Sequence, residues 1–168
     1  PYHKTLKELD KVLEESNYDN IILLIYDGMG SNILSRNLNE NSFLRKHKIE
    51  DIKVIFPPTT TASTTTLLSG LNPCEHGWLG WDLYFKCLDE TVTMFLNTKK
   101  DTNILVSEEN MAQKYFSYKS IIDLINEKYK AFKLMPFGDN AYNDLADLNN
   151  KVASLCKEEG KKFIYAYY

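Results

Sequence analysis

The chain has 168 residues, of which 43% are hydrophobic and 26% charged, a balance that suits one globular domain and excludes a disordered or low-complexity chain. With a formal net charge of −3 and lysines scattered along the chain, no general electrostatic attraction to nucleic acid or anionic lipid is expected. No apolar run approaches the roughly 20 residues of a membrane helix, so no membrane segment is expected.

Taken in chain order, Tyr2, Leu6, Leu9 and Leu13 recur at helical spacing among lysines and glutamates and predict a surface helix. Ile21 to Ile25 is a continuous apolar run, the pattern of a strand covered on both faces. It stops at Asp27-Gly28-Met29-Gly30, after which Ile33, Leu34 and Leu38 mark a helix. A second short strand is expected from Ile52 to Phe56, ended by Pro57-Pro58 because proline lacks the ladder donor. A helix is expected from Ala62 to Leu68 with Gly70 as its stop.

Leu83 to Phe85 and Val92 to Phe95 flank Asp89-Glu90 and read as a hairpin. Ile121, Ile122 and Ile125 mark a helix for which Ser117 is the expected cap, and Ala131 to Met135 a strand. Ala141, Leu145, Leu148, Val152 and Leu155 trace a helical stripe closed by Gly160. The apolar run Phe163 to Tyr168 reads as a strand still in progress at the last residue. Strands alternating with helices imply an α/β fold, a mostly parallel sheet with helices on both faces.

Three widely spaced cysteines, Cys74, Cys87 and Cys156, form neither a disulfide framework nor a zinc-finger pattern. Isolated reduced thiols favour a cytoplasmic setting. No signal peptide is legible at the start, but residue 1 is Pro, so a trimmed beginning and a secreted parent stay open.

In open α/β sheets ligands bind beyond the carboxyl ends of the strands, and two features fall there. Asp27 closes the first strand beside glycines, where a carboxylate can serve as a hard oxygen ligand for a divalent metal or simply cap the next helix. The run Phe56-Pro57-Pro58-Thr59-Thr60-Thr61-Ala62 opens a helix whose first turn has free N–H groups. A hydroxyl there is suited to a phosphoryl anion and to activation by a nearby metal, or it only caps the helix. The glycines at 28 and 30 lack the third of a dinucleotide fingerprint, and no P-loop is present. His76 reads as structural.

Together, Ile21–Gly30 (IILLIYDGMG) and Val54–Trp81 (VIFPPTTTASTTTLLSGLNPCEHGWLGW) resemble the nucleotide pyrophosphatase/phosphodiesterase branch of the alkaline phosphatase superfamily. The order carries the resemblance: strand, Asp-Gly, a long gap, aromatic-Pro, a hydroxyl, a helix, then Ser-Gly-Leu-x-Pro-x-x-His-Gly. It is strong over about residues 20 to 95 and rests on element order elsewhere. The resemblance implies a three-layer αβα, alkaline phosphatase-like fold, with Asp27 a zinc ligand and Thr60 both nucleophile and ligand. It implies two divalent ions, zinc in kind, a covalent phospho-threonine, and a small phosphodiester or nucleotide as substrate.

Two departures stand out. Trp81 occupies the position where many relatives carry an asparagine that holds the phosphoryl oxygen. The family's Asp-x-x-x-His ligand segment, expected soon after a strand like Phe163–Tyr168, does not occur in these 168 residues. The expectation is therefore the N-terminal portion of a single catalytic domain, inactive alone, with the activity belonging to a longer parent. Phosphonate hydrolase or phosphomonoesterase chemistry on the same nucleophile is an alternative, as is a non-catalytic α/β binding domain. Truncation inside a sheet would also favour self-association, with Tyr165, Tyr167 and Tyr168 as contact points.

Overall fold

The computed structural model describes residues 11–168. The expected first helix lies mostly outside them: Tyr2, Leu6 and Leu9 are not described, while a helical turn at 11–15 sends Leu13 fully into the core. The architecture is mixed α/β, with a three-stranded parallel sheet and a three-stranded antiparallel sheet.

The parallel sheet has the order β1 (Asn20–Ile25), β6 (Lys162–Tyr167), β5 (Lys130–Leu134). Residues in β6 are buried throughout because it is the central strand, paired with β1 from Asn20↔Lys162 to Ile25↔Tyr167 and with β5 on its other side. Strand alternation then divides its side chains between two cores. Phe163, Tyr165 and Tyr167 join Leu13, Leu68, Ile121 and Ile125 in one cluster. Ile164 and Ala166 face the opposite way, against Leu134 and Leu148.

Helices reach both clusters. Leu68 comes from α3 (Thr60–Ser69), and Ile121 and Ile125 come from α6 (Ile121–Asn126). Leu148 comes from α7 (Leu145–Cys156), capped by the Asp144 carboxylate, which accepts the Asp147 N–H at 2.8 Å. That α7 connects β5 to its parallel neighbour β6 is the crossover that alternating elements predict. The shorter helices are α1 (Ser31–Asn37), α2 (Phe43–Lys46), α4 (Pro73–His76) and α5 (Met111–Tyr115).

The expected hairpin is present as β2 (Asp82–Phe85) and β3 (Glu90–Thr93), with Asp89 at φ 51° in its turn and β4 (Thr98–Lys99) added at the far side. Trp78, Phe85, Val92, Met94, Met111 and Ala112 form its core, and Tyr118 packs against both this cluster and that of the parallel sheet.

Four expectations are corrected. Residues 52–56 form no strand, and Ile52, Val54 and Phe56 stand 84%, 64% and 88% exposed, because no described strand lies alongside to accept their ladder. β1 is an outer strand of its sheet, so Ile22, Leu23 and Leu24 are exposed rather than covered on both faces. The cap of α6 is Ser120, whose hydroxyl accepts from Ile122 N while Asp123 accepts the Ser120 N–H. Tyr165 and Tyr167 are buried in the core and cannot offer contact surface, whereas Tyr168 is exposed. All three cysteines are free thiols, and no described helix is long and apolar enough to cross a membrane.

Candidate functional site

Two strand ends and one helix start meet at the carboxyl edge of the parallel sheet. Beyond Ile25 the β1–β6 ladder continues through two further bonds, Tyr168 N–H to Ile25 O at 2.8 Å and Asp27 N–H to Tyr168 O at 2.7 Å. Asp27 is therefore held at the last rung. The chain then turns at Gly28, where φ is +66°, a conformation that glycine adopts without penalty. The Gly28 N–H turns back onto Asp27 Oδ1 at 2.8 Å.

Thr60 arrives from the other side as the first residue of α3. Thr59 caps this helix: its Oγ1 accepts the Ala62 N–H at 3.1 Å and donates to Leu79 O at 2.9 Å. The second bond ties the helix start to the segment that enters the antiparallel sheet. At the other end Gly70 closes the helix at φ 68°, as expected. The segment feeding α3 contains a cis Phe56–Pro57 peptide bond.

The two residues singled out from the sequence are brought together. Thr60 Oγ1 donates to Asp27 Oδ2 at 2.7 Å. A third residue, which sequence reasoning assigned elsewhere, completes the arrangement: the Tyr167 hydroxyl donates to the same Oδ2 at 2.5 Å. Tyr167 closes the strand parallel to β1 at the end where Asp27 lies, a placement set by the long-range β1–β6 register.

These bonds shape the electrostatics. The Tyr167 hydroxyl lowers the Asp27 pKa most; partial burial opposes this, and the Thr60 hydroxyl and Gly28 N–H lower it further, leaving the carboxyl below its usual 3.8. Burial and the bond to Asp27 push the Tyr167 phenol up to about 12. At neutral pH the site thus presents an ionised carboxylate flanked by two neutral hydroxyls.

Oxygen donors of this kind suit a hard divalent cation. Asp27 and Thr60 supply two oxygens 2.7 Å apart, a fitting part of such a site. Among the described residues, however, no group of three or more His, Cys, Asp or Glu is placed to hold a metal ion, so the pair is not a complete ligand set.

The remaining sequence candidates lie apart from this pair. His76 is buried, with Nδ1 accepting the Trp78 N–H at 3.0 Å and Nε2 3.0 Å from Thr66 Oγ1, so it fastens α4 to α3. Trp81 is part-exposed, its ring edge-on to Phe95 at 5.5 Å and to Phe137 at 6.2 Å. A cavity of about 550 Å3 lined by Trp78, Phe95, Tyr118 and Phe137 among others includes neither Asp27 nor Thr60. The chain matches no protein-family model, no curated protein and no solved structure.

Proposed function

We propose that the Asp27–Thr60 pair is the nucleophile end of a phosphodiesterase site of the nucleotide pyrophosphatase/phosphodiesterase type, within a three-layer alkaline phosphatase-like domain. The observation that carries this reading is the 2.7 Å contact between Thr60 Oγ1 and Asp27 Oδ2 at the carboxyl edge of a parallel sheet. Thr60 stands at the start of a ten-residue helix, where first-turn N–H groups and the helix dipole favour a phosphoryl anion.

In the proposed reaction Thr60 Oγ1 forms a bond to phosphorus, and the bond from phosphorus to the leaving oxygen breaks. The Thr60 proton leaves to solvent, and the departing oxygen collects a proton from solvent. Water then attacks the phospho-threonine, releasing the phosphate monoester and restoring the hydroxyl. Asp27 is a poor permanent acceptor for the Thr60 proton, because its carboxyl is held below the ordinary range. Its role is therefore to orient the hydroxyl and to contribute negative charge to a cation site. A divalent cation bound there, zinc by the resemblance, would favour the alkoxide form of Thr60 and offset charge on the phosphoryl group. Asp27 and Thr60 would hold it as two members of its ligand set.

Zinc-dependent hydrolysis of bis-p-nitrophenyl phosphate by the full-length protein, beside Thr60→Ala, tests this reading. Turnover by the wild type and none by the variant supports it; a wild type silent with both zinc and manganese overturns it. Adding a phosphomonoester and a phosphonate ester to the panel separates the sister reactions that the same nucleophile serves.

A further inference from the structure

The Asp27 carboxylate is pinned by donors from three separate segments. Oδ1 takes the Gly28 N–H, while Oδ2 takes both the Thr60 and the Tyr167 hydroxyls. Of the three, Tyr167 is the most firmly held. Its ring is buried in the core beside Tyr165 and Phe163, its backbone pairs with Ile25, and its carbonyl accepts the Tyr142 hydroxyl. A donor mounted on a central strand keeps its place better than one on a loop.

We infer that Tyr167 is a positioning residue for the Asp27–Thr60 pair, holding Asp27 Oδ2 in place when Thr60 gives up its proton. This inference rests on the phosphodiesterase reading above. In the resting site Thr60 itself helps to fix Asp27. Once Oγ1 bonds to phosphorus it carries no hydrogen, and the Thr60-to-Asp27 bond is gone. Two electron-rich oxygens, 2.7 Å apart in the resting geometry, then repel. The Tyr167 hydroxyl remains as a side-chain donor on Oδ2, so the carboxylate keeps its orientation instead of turning away. Its contribution is therefore larger in the transition state than in the ground state, and its loss falls on kcat rather than KM.

Tyr165 supplies the control. It lies two residues earlier on the same face of β6 and is more deeply buried, and its hydroxyl has no hydrogen-bond partner. Removing that hydroxyl changes packing and polarity in the same core without touching Asp27.

The test compares wild type, Tyr167→Phe and Tyr165→Phe in the full-length protein. One arm measures affinity for zinc alone, by competition with a chromophoric chelator; the other measures kcat and KM on bis-p-nitrophenyl phosphate. Tyr167→Phe is expected to weaken zinc about tenfold and lower kcat about tenfold, with KM within about twofold, as for other hydrogen-bond partners behind a ligating group. Tyr165→Phe is expected to match the wild type in all three. The inference is overturned if Tyr167→Phe matches the wild type in zinc affinity and kcat, or if both variants lose equally. If the wild type binds zinc but does not hydrolyse the ester, the phosphodiesterase reading fails by itself and the zinc arm decides the role of Tyr167. A wild type that neither binds zinc nor turns over overturns both.

Discussion

Thr60 Oγ1 and Asp27 Oδ2 are hydrogen-bonded at 2.7 Å although 33 positions separate the two residues in the chain. The contact sits at the surface, with Asp27 exposed, so its loss costs little folding energy. Asp27→Asn retains an oxygen for the two hydroxyls but loses the charge. We expect the melting temperature to move by no more than about 3 °C, while hydrolysis falls at least about a hundredfold. Calorimetry and steady-state kinetics on the same preparation check this. A large loss of stability would show that Asp27 serves the fold instead.

Gly77 is a position where the backbone demands glycine. Its φ is +72°, and a Cβ built there would lie 2.4 Å from Phe116 Cδ1 and 2.8 Å from Cε1. The Phe116 ring cannot readily yield, because it packs on Phe85 and its carbonyl accepts the Trp78 indole N–H at 2.8 Å. Gly77→Ala should therefore destabilise the chain by about 2–4 kcal/mol, combining left-handed strain with overpacking. Urea denaturation measures the loss; an unchanged midpoint would mean that the turn relaxes without cost.

Much of the architecture could be read from periodicity, because long apolar repeats leave few alternatives. The stripe of Leu145, Leu148, Val152 and Leu155 lies within α7, and the run Phe163 to Tyr167 became the central strand. The 52–56 segment shows the limit. Ile52, Val54 and Phe56 alternate as a strand should, yet strand preference is realised only against a neighbouring strand, and none of the described ones pairs with it. The cap of α6 was legible in retrospect, since Ser120-x-x-Asp123 is a capping-box pattern whereas Ser117 stands too far upstream. Short pieces such as α2, α5 and β4 span less than two periods, too few for a repeat to show. Pairing Asp27 with Thr60 needed only motif order and strand ends. Finding Tyr167 needed the β1–β6 register, which is long-range and absent from any local pattern.

The outer edge of β1 makes a separate prediction. Its other edge pairs with β6, and Ile22, Leu23 and Leu24 are exposed together with Ile52, Val54 and Phe56. An apolar edge strand invites pairing with another chain. We expect the 168-residue chain to associate with itself, its weight-average mass rising with concentration in sedimentation equilibrium. Leu24→Lys should suppress the association while leaving the circular dichroism spectrum intact. A monomer at every concentration would refute the idea.

His76 makes stability depend on pH in a window of its own. The Trp78 N–H occupies Nδ1, which fixes the neutral ring with its proton on Nε2, facing Thr66 Oγ1. Burial lowers its pKa below 6.5, outweighing the Ala62 carbonyl and the Glu75 charge, which act the other way. Well above pH 6.5 neither the folded nor the unfolded state protonates this ring, and the contribution is constant. As pH falls below 6.5 the unfolded chain takes up the proton first, so stability drops until the folded-state pKa is passed. Carboxylates such as Glu90 and Asp147, held below 4.5 and 3.8 by the Lys99 side chain and the Asn143 backbone respectively, act only at lower pH. Unfolding free energy measured by urea between pH 7.5 and 5 should therefore decline in the wild type. His76→Gln should be less stable at pH 7.5, since it breaks the α3–α4 fastening, yet its profile should be flatter over that range. Parallel profiles would assign the slope to another group.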